Sequence, residues 1–114
     1  MNNQNEPNEP IPQGTLDMLI LQTLSRHGRL HGFEIATAIQ QRSEDVLRVE
    51  EGSLYPALHR LEEAGYVRAK WTTTENKRRA RMYEITAVGR KQLQEEESRW
   101  TSVAAAIGRV LWEA

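Results

Sequence analysis

The sequence predicts a mainly α-helical protein with one small β-hairpin, and three segments carry that prediction. Residues 52–64 have the spacing of a short helix with a leucine stripe on one face. Two strand-like segments follow, joined by a basic turn at residues 76–81. Residues 87–112 then have the spacing of one long helix. A short helix followed by a two-stranded ribbon with a cationic tip is the layout of a winged helix-turn-helix, here with an added C-terminal helix.

The predicted domain organisation has three parts. Residues 1–13, rich in Asn, Glu and Pro, are expected to be a disordered leader. Residues 14–86 are expected to form the winged helix-turn-helix domain, and residues 87–114 a C-terminal dimerisation helix. The leader lacks the apolar centre of a signal peptide, and no apolar stretch reaches about 18 residues. Because the chain also has no cysteine, we expect a cytoplasmic protein without a membrane partner.

Two helices are predicted in the first part of the domain. The first runs from Leu16 to Arg26, with Thr15 as its N-cap, and Gly28 is expected to end it in a left-handed conformation. Apolar residues cover more than one face of this helix, so we expect one face to pack on a partner subunit. The second helix runs from Gly32 to Arg42, and a polar loop with a short strand near Leu47 follows it.

The third helix has clearly separated faces. Turning Leu54, Leu58 and Leu61 toward the core, at about 100° per residue, leaves a polar face opposite them. That face consists of Ser53, Pro56, His59, Arg60 and Glu63, with Tyr55 at its boundary. Pro56 is acceptable in the first turn because the N–H groups there have no intrahelical partner.

The last helix is predicted to start after an N-cap at Thr86 and to end near Trp112. Leu93, Trp100 and Ile107 recur every seven residues, which indicates a coiled-coil-like seam and a homodimer. The predicted dimer interface combines this seam with the first helix: Leu16, Leu19, Ile20, Leu93, Trp100, Val103, Ile107, Val110 and Leu111.

The positive charge of the chain is concentrated in the hairpin region. The net charge is −1 overall, but residues 66–91 carry eight Lys or Arg against two Glu. Phosphate binding depends on this local charge rather than on the total. An alternative interpretation is that the basic turn is simply a solvated tip.

Four motifs in order carry a family resemblance, and they lie within residues 14–21, 31–35, 51–62 and 78–89. With these motifs the chain resembles the PadR family of transcriptional regulators, in its short form with a single C-terminal helix. The resemblance implies a dimeric winged-helix repressor that binds double-stranded DNA, often controls efflux, detoxification or stress genes, and is often released by a small ligand.

The resemblance also implies which residues contact DNA. On the recognition helix they are Ser53, Tyr55, Pro56, His59 and Arg60, and on the wing Lys77, Arg78, Arg79 and Arg81. Alternatively, Tyr55 seals a corner between helices and His59 is a solvated surface residue. The glycine pair common at the wing tip of the family is absent here, where Glu75-Asn76-Lys77 stands instead. Which arginine points at DNA therefore stays open.

Trp100 is the predicted ligand-binding residue, because it resembles the tryptophan that stacks flat aromatic drugs in one branch of the family. A symmetric pair of indoles would suit such molecules, although Trp100 could equally pack the dimer seam. We expect no enzymatic activity, cofactor or metal, since the sequence lacks a phosphate loop, a nucleophile elbow and a metal motif.

The sequence thus predicts a homodimeric, sequence-specific repressor of a palindromic operator. Two rival interpretations use the same surfaces. One is a winged-helix module that docks on proteins, and the other is a ligand-binding dimer whose DNA affinity is secondary.

Overall fold

The computed structural model describes residues 9–11 and 13–114. In chain order the elements are β1 (Glu9–Pro10), α1 (Gln13–His27), β2 (Leu30–His31), α2 (Gly32–Arg42), β3 (Leu47–Arg48), α3 (Glu51–Glu63), β4 (Val67–Thr73), β5 (Arg79–Ile85) and α4 (Ala87–Trp112). Four helices and a three-stranded antiparallel sheet of order β2-β5-β4 confirm the predicted mainly helical winged fold.

The N-terminal end of the described chain is more structured than predicted. Most of the predicted leader, residues 1–8 and 12, lies outside the described residues. Glu9–Pro10 nevertheless pairs in parallel with Leu47–Arg48, so the prediction of disorder is wrong for these two residues. Helix α1 begins at Gln13, so Thr15 is a helical residue and not the predicted N-cap.

Helix α1 is the central element of the core. Leu16, Ile20, Leu21 and Leu24 are all buried, because α1 packs against α2, α3, α4 and β5 of its own chain. This explains the apolar residues on several faces of α1 without a partner subunit. Gly28 ends the helix with a positive φ of 87°, as predicted, and its N–H donates to the Leu24 carbonyl.

Three residues predicted for the dimer interface therefore need correction. Leu16, Ile20 and Leu93 are buried in the core of the single chain, where they leave almost no surface for a partner. Leu19 is partly buried and borders a groove between α1 and α2. The apolar pattern identified residues that must be covered, but the covering elements come from the same chain.

The hairpin is built from β4 and β5 in a regular antiparallel register that runs from Val67 opposite Ile85 to Thr73 opposite Arg79. The connecting turn is closed by two hydrogen bonds, from the Thr74 N–H to the Arg78 carbonyl and from the Lys77 N–H to the Thr74 carbonyl. Lys77 has a φ of 60°. A non-glycine residue thus adopts the left-handed conformation in this turn, although the family's glycine pair is absent.

The first turn of helix α4 is anchored to the segment between α3 and β4. Thr86 is its N-cap, as predicted: the Gly89 N–H donates to Thr86 Oγ1 at 3.0 Å, and that hydroxyl donates to the Gly65 carbonyl at 2.7 Å. Gly89 lies directly against the neighbouring backbone. A Cβ at this position would overlap the Tyr66 carbonyl oxygen and would lie 2.8 Å from Ile85 Cγ1.

Gly89→Ala is therefore expected to lower the free energy of unfolding by about 1–3 kcal/mol, because an added methyl would force the backbone apart. Gly52→Ala is the matched control, since a Cβ at this helical position meets no heavy atom within 4 Å. We expect the control to be neutral or stabilising by up to about 1 kcal/mol. Urea denaturation measures both changes, and a Gly89→Ala protein as stable as the parent would contradict this close packing.

Candidate nucleic-acid interface

Helix α3 buries one face and exposes the other, as predicted. Leu54, Ala57, Leu58 and Leu61 lie in the core. Ser53, Pro56 and His59 are exposed on the opposite side, and His59 Nε2 lies 3.4 Å from Glu63 Oε2. The accessible N-terminal half of the helix is thus the part that could enter a groove of DNA.

Tyr55 occupies the boundary that the sequence predicted. Its ring lies against the first residue of α2, because a Cβ on Gly32 would come within 2.8 Å of Tyr55 Cε1 and 2.9 Å of its hydroxyl oxygen. The residue nevertheless remains 44% exposed. Tyr55 therefore packs against the start of α2 and still leaves nearly half of its surface exposed.

Arg60 is engaged within the chain. Its Nη2 atom lies 2.9 Å from Asp17 Oδ1, so the ion pair joins α3 to α1. Both side chains are about one-third exposed, and a pair of this kind contributes modestly to stability. To contact DNA as the sequence predicted, Arg60 would have to share its guanidinium with Asp17 or release it.

Arg81 also makes an internal contact. Two of its nitrogens donate to the two carboxylate oxygens of Glu62, at 3.1 and 2.8 Å, in the bidentate arrangement typical of arginine. This contact joins β5 to α3. Arg81 lies within a strand and against the recognition helix, whereas the sequence placed it in the exposed basic turn. Burial raises the pKa of the neighbouring Tyr83 hydroxyl, and the positive charge of Arg81 partly opposes that effect.

The remaining wing cations have no such carboxylate partner. Lys77 and Arg78 are exposed in the turn, and Arg79 is exposed at the start of β5. Within residues 9–11 and 13–114, none of these three forms an ion pair. The Arg79 guanidinium carbon instead lies 4.7 Å from the centroid of the Trp71 ring. These three cations are therefore available to phosphate groups.

A groove of about 310 Å³ separates the wing from the starts of α2 and α3. We call it the wing groove, and its principal lining residues are His31, Phe33, Tyr55, Trp71, Arg79 and Arg81. Phe33 and Trp71 are not among the residues that the sequence predicted to contact DNA. Trp71 reaches the groove because it lies opposite Arg81 in the hairpin, and residues directly opposite each other place their side chains on the same face.

Trp100 lies at a second groove, well along α4. This groove measures about 320 Å³, and its walls come from α1 (Gly14, Thr15 and Met18) and α4 (Glu96, Arg99, Trp100 and Val103). The indole is 53% exposed. Beyond Leu93, residues 94–114 include no buried residue, so the second half of α4 extends past the core.

The comparisons with known proteins agree with this geometry. A family model described as the transcriptional regulator PadR-like family matches residues 20–95. The chain belongs to this family. A solved structure of a transcriptional regulator from Clostridium thermocellum is 29% identical, with a TM-score of 0.80, and the match covers 88% of this chain and 96% of that chain. The predicted membership of the PadR family is thereby confirmed.

Two further relatives extend the similarity. A PadR family transcriptional regulator from Eggerthella lenta is 26% identical with a TM-score of 0.76, over 90% of this chain and 86% of that chain. The uncharacterized protein X of Lysinibacillus sphaericus is 29% identical over 97 residues, which are 85% of this chain and 88% of that protein. The PadR-like chain is therefore a transcriptional regulator with a DNA-binding winged-helix fold, and not an enzyme.

The part of the chain that the structure describes contains no cluster of three or more His, Cys, Asp or Glu residues that could hold a metal ion. None of its helices has the length and apolar character needed to cross a membrane.

The contacts of the wing arginines predict different effects on stability. Arg81→Ala is expected to lower the free energy of unfolding by about 1 kcal/mol, because it removes a bidentate contact and leaves Glu62 without its partner. Arg78→Ala is expected to change it by less than about 0.5 kcal/mol, since this side chain is exposed. Urea denaturation compares the two variants. Equal stabilities would argue against a structural role for Arg81.

Proposed function

We propose that this PadR-like regulator is a homodimeric, sequence-specific repressor of a palindromic operator. The observation that carries the proposal is that the exposed face of α3 and the wing meet at one groove, which Tyr55 and Arg79 both border. Arg79 and the exposed turn residues Lys77 and Arg78 form no ion pair with any described residue. A helix with accessible polar side chains suits the major groove, and adjacent cations suit the phosphates next to it. Occlusion of a promoter is the simplest action for so small a protein.

The proposed contacts divide into base readout and phosphate binding. Ser53, Tyr55, Pro56 and His59 face outward on α3 and supply contacts to base edges or to the adjacent backbone. Lys77, Arg78 and Arg79 bind phosphates, which gives affinity that falls with salt. We propose that Arg60 and Arg81 contribute indirectly, by holding the recognition helix in place. Their ion pairs with Asp17 and Glu62 join α3 to α1 and to the wing.

The proposal of a homodimer rests on one face of α4. Gly89 and Leu93 use this face to pack on the core, and at 100° per residue the same face continues along the helix. Its later residues are half or more exposed: Trp100, Val103, Ile107, Val110 and Leu111. A continuous exposed apolar strip of this kind is typical of a protein interface. A second copy of α4 has the matching strip that a two-fold dimer requires.

Dimerisation would set the spacing of the DNA contacts. Two recognition helices related by a two-fold axis would enter successive major grooves about 34 Å apart, which requires an operator with an inverted repeat. We propose further that a planar aromatic effector binds at Trp100. Its support is the exposed indole at the groove between α1 and α4. Bound there, an effector would change the angle between subunits and so the spacing of the helices.

DNA binding is tested by fluorescence anisotropy with a duplex from upstream of the protein's own gene and a scrambled duplex, over a range of salt concentrations. Arg78→Ala is expected to weaken both complexes about equally and to reduce the salt slope by about 1. Tyr55→Phe keeps the ring against Gly32 and removes only the hydroxyl, so we expect reduced preference between the duplexes. Equal weak binding of the parent protein to both duplexes would contradict specific recognition at that site and would favour the protein-docking module.

The dimer is tested by a charge placed in the apolar strip. Ile107→Glu is expected to shift the protein from dimer to monomer in sedimentation equilibrium and to weaken operator binding at least tenfold, since each α3 would then bind alone. Ser98→Glu introduces the same charge on the opposite face of α4, which is exposed and polar, and should leave the dimer intact. A dimer that survives Ile107→Glu would exclude the α4 strip as the interface.

A further inference from the structure

Trp71 is a large exposed aromatic residue to which the proposed contacts assign no role. It lies in β4, is 55% exposed, and forms part of the wing groove together with Tyr55 and Arg79. Leaving an indole in water forgoes the free energy that burial would supply. The exposed side chains of Phe33 and Tyr55 line the same groove, and an exposed apolar patch with polar residues around it is typical of an interaction site.

Two guanidinium groups lie near the Trp71 ring, and their other contacts differ. The guanidinium carbons of Arg79 and Arg81 are 4.7 and 5.6 Å from the ring centroid. Arg81 is already held by both carboxylate oxygens of Glu62. Arg79 forms no ion pair with any described residue, and its guanidinium lies against the indole instead.

The register of the hairpin explains why this contact forms. Trp71 lies opposite Arg81, and Arg79 lies opposite Thr73, so Trp71 and Arg79 are diagonal neighbours on one face. A long arginine side chain reaches across that diagonal. Lys77 and Arg78, by contrast, belong to the turn and are not among the residues that line the wing groove. Among the wing cations that form no ion pair with a described residue, Arg79 is the one that lines the wing groove together with Tyr55.

We propose that Trp71 is the positioning residue of the wing: its ring holds the Arg79 guanidinium at the wing groove that Tyr55 of α3 also borders, ready to bind a DNA backbone phosphate. The inference rests on the proposed DNA-binding function and deepens it. Orienting the side chain before binding lowers the conformational entropy lost in the complex. Arg79 then fixes the register of the recognition helix on the duplex, whereas Lys77 and Arg78 add attraction without fixed geometry.

A double-mutant cycle tests this role. Trp71→Leu and Arg79→Gln are each expected to weaken binding to the operator duplex, by about threefold to tenfold for the loss of the cation–π contact and more for the loss of the charge. If Trp71 acts through Arg79, Trp71→Leu should have less than about a twofold effect in the Arg79→Gln background. A full effect in that background would overturn the proposal, because Trp71 would then contact DNA by itself or support the fold.

Arg78→Gln provides the matched control. Trp71→Leu should weaken binding by the same factor in the parent and Arg78→Gln proteins, since the arginines over the indole are Arg79 and Arg81. Coupling of equal size to Arg78 would overturn a specific role for Arg79. Trp71→Phe keeps an aromatic ring and should recover part of the affinity. Thermal unfolding of each variant checks that it is folded. If Trp71→Leu is unfolded, the same double-mutant cycle with Trp71→Phe in its place decides the question.

The experiment also distinguishes failure of this role of Trp71 from failure of DNA binding altogether. In that case the parent protein would bind no duplex, even at low salt, and both proposals would fall together. A parent protein that binds duplex DNA while the cycle shows independent effects would leave the regulator intact and remove only the role of Trp71.

Discussion

The structure depends on the burial of α1 inside its own chain. Leu16, Ile20 and Leu24 are essentially inaccessible because four other elements pack around this helix. Each fully buried leucine or isoleucine contributes about 1.5–3 kcal/mol, whereas a partly exposed ion pair contributes about 0–1 kcal/mol. Apolar burial therefore fixes where α3, α4 and the sheet lie, and the ion pairs adjust their orientation within that arrangement.

The arginines of the DNA-binding domain illustrate this division. Arg60 and Arg81 have carboxylate partners in the chain: Arg60 of α3 pairs with Asp17 of α1, and Arg81 of β5 pairs with Glu62 of α3. Arg78 and Arg79 have none among the described residues. Internal partners remove two cations from the set available to phosphates but make the recognition helix part of a rigid unit. A net charge near zero is compatible with DNA binding because the unpaired cations cluster on the wing.

Much of the fold could be predicted from the sequence because local rules determine it. The bounds of α2, the left-handed Gly28 and the cap at Thr86 all follow from short-range chemistry, and the leucine face of α3 follows from periodicity. Whether α1 is covered by its own chain or by a partner subunit could not be predicted. Periodicity shows that a face is buried, but it does not distinguish a neighbouring element from a partner subunit.

The contacts of the wing arginines could not be predicted from the sequence either. The sequence identified its basic residues, yet Arg81 pairs with a glutamate 19 positions away and Arg79 with a ring across the hairpin. Both contacts depend on strand register and on how the sheet packs against α3. A charge count treats these arginines as equivalent, and only the three-dimensional arrangement separates a structural cation from one free to bind phosphate.

Helix α1 also provides a physical route between the two proposed sites. Thr15 and Met18 border the groove that contains Trp100, and Asp17, which lies between them in the sequence, holds Arg60 of the recognition helix. An effector that separates α4 from the first turns of α1 would act on the helix to which α3 is bonded. Because a packed core transmits displacement rather than absorbing it, repression and its release would then depend on the same buried helix.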